Sequence, residues 1–157
     1  MQARKRIPLE EAIIKIRTYC NYRDRCHKEV RDKLYTMGLY KREVDQALMQ
    51  MMDEDLLNEE RYAHSYARGY FRTKRWGKMK IQGELRLRQI HPSLITRALA
   101  EIDDVEYEKT IDALIEKKAK TLNKERPMER RQKIANYMLS KGYQYAEFKA
   151  SLERFLN

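Results

Sequence analysis

The chain has two cysteines, three prolines and five glycines in 157 residues, and each shortage excludes something. Cys20 and Cys26 lie six positions apart. Two cysteines in a chain of this length do not make the disulfide framework of a small secreted domain, so reduced thiols are expected. Strands need β-branched runs bounded by clusters of turn residues, and no such run is found. Nowhere does the chain approach the roughly 20 consecutive apolar residues that span a bilayer. The opening "MQARKRIPLEEA" lacks the apolar segment of a secretory signal, so a cytoplasmic location without membrane attachment is expected.

The residue groups that mark catalysis are also missing. His27, His64 and His91 stand near no carboxylates or cysteines at metal-ligand spacing, and a zinc site needs about four ligands. "RWGKMK" has a single glycine and neither the preceding strand nor the ending of a phosphate-binding loop. No nucleophile, base and orienting acid can be assembled from the spacing. The acid pairs at Asp53 to Asp55 and at Asp103 and Asp104 could hold magnesium in a nuclease. They fall where one helical unit ends and the next begins, and caps and linkers explain them better. No enzyme activity, metal or cofactor is expected.

Helix-forming residues and positive charge are what the chain has in quantity. The formal net charge is +10, unevenly spread. Residues 1–60 are neutral, residues 89–157 carry +2, and residues 61–88 alone carry +8, with nine basic side chains against the single acid Glu84. Solubility does not call for such concentration. A localised positive field points to an anionic partner.

The apolar pattern repeats three times. With Leu34, Leu85 and Met138 as equivalents, Val30, Ile81 and Ile134 stand four residues earlier, and Val44, Ile95 and Phe148 ten later. Leu48, Leu99 and Leu152 follow at fourteen, and Met51, Ile102 and Phe155 at seventeen. The first two sets share a helical face and so do the last three, with a turn between, which makes each unit a helical hairpin. Gly38 and Gly142 supply the positive φ that ends a helix. In the middle unit Gln89 takes that place, and Pro92 is expected to open the next helix. A further helix precedes each hairpin, at about Leu9 to Cys20, Glu59 to Lys74 and Tyr107 to Leu122, with Asn58 and Asp104 as N-caps. The expected fold is all-α: three tandem three-helix repeats at 9–54, 55–103 and 104–157 after a tail at 1–8, forming an elongated, curved molecule.

On a helix from Glu59, with about 100° per residue, Arg61, His64, Arg68, Arg72 and Arg75 share one arc. Tyr62, Ala63, Tyr66, Ala67, Tyr70 and Phe71 fill the other side and are expected to pack. A run of cations is ordinarily a solvated face. Such faces usually interleave both signs for about 0.2 to 0.5 kcal/mol per pair, and here no acid lies between Arg61 and Lys80. An uninterrupted cationic face is therefore expected, extended by Lys74, Lys78, Lys80, Arg86 and Arg88 around the Gly77 turn. Trp76, the only tryptophan, could stack on a base or cap the core.

The segment from Leu57 to Ile90 resembles the signature of the RecX family of bacterial recombinase-regulatory proteins. The matching residues are Leu57 and Asn58, Tyr62 and Ala63, Arg72, Gly77, Lys80 and Ile81, and Glu84 and Leu85. Arg23, Arg25, Glu29, Val30 and Leu34 resemble the family's arginine-rich first segment, and the likeness runs from about Leu9 to Leu156. Gln89 stands where the family usually has glycine, and Cys26 where it commonly has serine. The resemblance implies a non-enzymatic protein that binds the RecA recombinase, mostly as its filament on single-stranded DNA, and restrains its ATP hydrolysis and strand exchange. A monomer with no membrane partner is expected. The alternative is a protein acting directly on single-stranded or duplex DNA, with Tyr70 and Trp76 on bases and arginines on phosphates.

Overall fold

The computed structural model describes residues 6–156, and among them it is helical throughout: α1 (Leu9–Tyr22), α2 (His27–Thr36), α3 (Lys41–Asp53), α4 (Glu59–Lys74), α5 (Lys78–Leu87), α6 (Pro92–Ala100), α7 (Asp104–Thr121), α8 (Pro127–Lys141) and α9 (Tyr145–Leu156). Each consecutive triplet packs on itself. Thirteen of the fifteen repeat positions are buried, with Leu99 and Phe155 half-buried at the edges. The opening helices of the first and third units differ from expectation at their ends: α1 runs two residues further, and α7 begins three residues earlier. Asp103, not Asp104, caps α7, its carboxylate accepting from the Glu106 amide at 2.9 Å. Asn58 does cap α4, accepting from the Arg61 amide at 2.9 Å.

The turn inside each hairpin is the same in all three units. Gly38, Gln89 and Gly142 have φ of 84°, 60° and 101°. Gln89 thus adopts the left-handed conformation without glycine's freedom, which costs roughly 1 kcal/mol. The middle unit keeps the geometry of the other two at this turn, with strain in place of glycine. Pro92 stands at the first position of α6 as expected.

The apolar interior is divided. The first unit has its own core around Ile16, Val30, Leu34 and Met51, while the second and third share one continuous core. Phe71, Tyr107 and Tyr143 run across that shared seam, with ring centroids 5.7 and 5.3 Å apart. Cys20 and Cys26 are free and buried, one in each core, and burial pushes both thiols up from their ordinary pKa. The accessible surface is 10369 Å², against about 8,400 Å² for a compact monomer of this mass.

Candidate docking surface

The structure splits the expected cationic face into two groups. Arg61 sits in the joint between the first and second units, donating through Nε to Asp24 at 2.9 Å and through a terminal nitrogen to the Asp55 carbonyl at 3.0 Å. Ser65 donates to the other Asp24 oxygen at 3.0 Å. Arg72 lies 3.7 Å from Glu106, and Arg88 pairs with Glu84 at 3.0 Å while its guanidinium stands 4.8 Å from the Tyr66 ring centre. His64 approaches Glu101 at 2.9 Å. The face is therefore not uninterrupted. Helix α4 carries no acid past Glu60, but the α1–α2 and α3–α4 connections, α7 and the end of α6 supply them.

The second group keeps its charge. Arg68, Lys74, Arg75 and Arg86 are exposed, and none has a carboxylate within ion-pair distance among the described residues. Lys78 and Lys80 are half-buried over aromatic rings, Lys78 Nζ 4.9 Å from the Tyr107 ring centre and Lys80 Nζ 4.7 Å from that of Trp76. Trp76 stacks on Tyr70 at 4.6 Å with 15° between the planes, and both pack against the shared core. Trp76 is half-buried, packed against the core on one side and still partly open to solvent. Its ring closes the row Tyr62, Tyr66, Tyr70, Trp76 along one side of α4.

The three tyrosines of that row floor a groove of 660 Å³ between the first two units, walled by Arg23, Asp24, Glu29, Ser65 and Arg88. Its charges balance. Glu29 is held by Arg23 at 2.7 Å and stays below the usual carboxylate range even though burial alone would raise it, because the Arg23 hydrogen bond and charge outweigh burial. Arg25, which resembles a family residue, is buried and stacks 3.6 Å from the Tyr19 ring centre. Its partners Tyr19 and Glu29 lie in the first unit, so this part of the likeness serves that unit's own packing.

The turn that carries the unpaired cations is fixed by the third unit. The Gly77 amide donates to the Lys141 carbonyl at 2.8 Å, and the Met79 amide to the Gly142 carbonyl at 3.0 Å. The Lys78 amide donates to the Tyr107 hydroxyl at 3.1 Å, and the Tyr143 hydroxyl to the Arg75 carbonyl at 2.8 Å. Arg75 is left-handed at φ 55°, a conformation these bonds hold in place. Lys141 completes the arrangement, its ammonium donating to the Lys74 carbonyl at 2.7 Å. Nothing in the 61–88 charge run pointed to Lys141; the only signal was a lysine before the turn glycine in "KGYQ".

Residues 58–99 match the family model of the second three-helix domain of RecX, and residues 106–151 that of the third, together more than half of the chain. The chain belongs to the RecX family. The protein named "Regulatory protein RecX" in Clostridium perfringens is 30% identical over 132 residues, 83% of this chain and 61% of its own length. Its namesake in Haemophilus influenzae is 26% identical over 129 residues, 82% of this chain and 84% of its own. The chain thus spans about three-fifths of the clostridial relative. The crystal structure of RecX from Lactobacillus salivarius superposes with a TM-score of 0.86 at 24% identity, covering 94% of this chain and 96% of that one. RecX is a family of regulatory proteins, not of enzymes. Among the described residues no helix is long and apolar enough to cross a membrane.

Proposed function

We propose that this protein binds the RecA recombinase, chiefly as its filament on single-stranded DNA, and restrains ATP hydrolysis and strand exchange, so that repair and recombination are held in check. The observation that supports it is the exposed set Arg68, Lys74, Arg75 and Arg86, cations that no carboxylate of the chain neutralises among the described residues. Leaving like charges together costs a few tenths of a kcal/mol per pair, a cost that an anionic partner removes. Repeats divided near 54/55 and 103/104 would let one monomer touch neighbouring recombinase subunits in the cytoplasm. Arg61, Arg72 and Arg88 act in this scheme by setting the units' geometry.

The test is recombinase ATP hydrolysis on single-stranded DNA with this protein added. Substoichiometric protein is expected to slow it, and an unchanged rate at saturating protein and low salt would refute the proposal.

A further inference from the structure

Four cations from two units converge at one place, a fifth, Lys118, shares the Tyr137 ring with one of them, and only three of the five belong to the charge run of the second unit. Lys74, Arg75 and Lys80 flank the Gly77 turn. From the third unit, Lys141 reaches the Lys74 carbonyl. Lys80 Cβ is so close to Gly142 that a Cβ on that glycine would fall 2.4 Å from it. Half-buried Tyr137 lies beneath two ammonium groups, Lys118 at 4.9 Å and Lys141 at 6.0 Å from its ring centre. None of the five has an acid within ion-pair distance among the described residues.

Capping the end of α4 accounts for one of the three Lys141 donors and for none of its neighbours. Burial is the first cause of the lowered Lys141 pKa, and Lys80, Arg75 and Lys74 add to it, all in the same direction. A side chain whose only work was to satisfy a carbonyl would not need three further positive charges around it.

We infer that Lys74, Arg75, Lys80, Lys118 and Lys141 form a composite seat for nucleic-acid phosphates, built jointly by the second and third units. The inference rests on the filament-docking proposal in that it uses the same edge of the second unit, and it names the DNA within the filament as what that edge meets. Charge density decides against an acidic protein surface. Protein surfaces normally interleave both signs, whereas duplex DNA carries one charge per roughly 1.7 Å of axis. Four of the five cations are lysines, compact point charges that meet phosphate oxygens without demanding a planar partner. The contact is therefore expected to be insensitive to base sequence.

The experiment uses the whole chain without recombinase and a fluorescent oligothymidylate of about twenty residues, titrated across a range of salt. Lys74→Gln and Lys141→Gln are each expected to lower the slope of log affinity against log salt by about 0.7, the value for one single-strand phosphate contact. Lys41→Gln on α3 makes the same charge change far from the seat and is expected to leave the slope alone. Glutamine keeps a donor for the Lys74 carbonyl, and exposed Lys74 tests the seat even if the Lys141 variant folds poorly. Unchanged slopes in both variants would overturn the inference, as would an equal loss in Lys41→Gln. Competition by polyglutamate that is lost in these variants while oligonucleotide binding persists would overturn it in favour of an acidic protein. If the slopes do not change but recombinase ATP hydrolysis is still slowed, this inference fails and filament docking stands.

Discussion

Gly77→Ala is expected to lower the melting temperature by roughly 10 °C, because the backbones of the second and third units lie directly against each other at Gly77. A Cβ on Gly77 would lie 2.3 Å from the Gly142 carbonyl oxygen, 2.4 Å from its carbon and 2.6 Å from the Tyr143 nitrogen. Backbone on both sides cannot yield as a flexible side chain does, so the two turns must separate. Separation breaks the Gly77 and Met79 bonds across the seam and loosens the two tyrosine hydroxyl bonds beside them. At about 1 kcal/mol net for each hydrogen bond, three to four kcal/mol are lost, a large part of the 5 to 15 kcal/mol that holds a domain folded. In a chain of this size each kcal/mol shifts the midpoint by about 2 to 4 °C. Gly69 is the internal comparison: it stands within α4, and a Cβ added there would meet nothing within 4 Å, so Gly69→Ala is expected to raise stability by up to about 1 kcal/mol through helix propensity. Thermal melts of both variants followed by circular dichroism decide the matter. A Gly77→Ala midpoint within about 2 °C of wild type would mean that the seam is not where the two units are joined.

Reversing Lys74 and Arg75 together, Lys74→Glu with Arg75→Glu, is expected to raise the protein concentration needed for half-maximal restraint of recombinase by on the order of 100-fold. Both side chains are exposed and contribute only their backbone carbonyls to the seam, so the fold should survive. The substitution takes the five-cation seat to a net charge of one and sets new carboxylates beside Lys80 and Lys141. Removing two attractive contacts and adding repulsion at about 1.4 kcal/mol per tenfold gives the stated change. Lys41→Glu with Arg42→Glu makes the same change in net charge on the first unit and is expected to shift the midpoint less than about threefold. Equal effects of the two double variants on ATP hydrolysis would show that overall charge, rather than this edge, matters.

The parts of this fold that sequence pattern reveals are those decided within one unit. Val30, Leu34, Val44 and Met51 are buried because helical periodicity puts them on one side, and their counterparts in the other units, apart from half-buried Phe155, are buried for the same reason. Tyr62, Ala63, Tyr66, Ala67 and Phe71 follow the same rule. The Gln89 turn shows where inference from residue type stops. Its neighbours impose the left-handed backbone that glycine accepts elsewhere. The charged surface was harder because pairing depends on which segments meet in space. Asp24 lies 37 residues before Arg61 and Glu106 lies 34 after Arg72, so an arc free of acid on the helix is not free of acid in the fold. Lys141 escaped for the converse reason. Its neighbours in sequence are ordinary in charge, and only the contact between two turns brings it to Lys74.

An image of the recombinase filament on single-stranded DNA with this protein bound tests the docking proposal most directly. The expected result is helical density lying along the filament, with the α4–α5 turn and the end of α8 facing inward and Arg68, Arg75 and Lys141 at the contact. A bare filament at saturating protein, or a protein seated by its first unit with that edge turned to solvent, would contradict it.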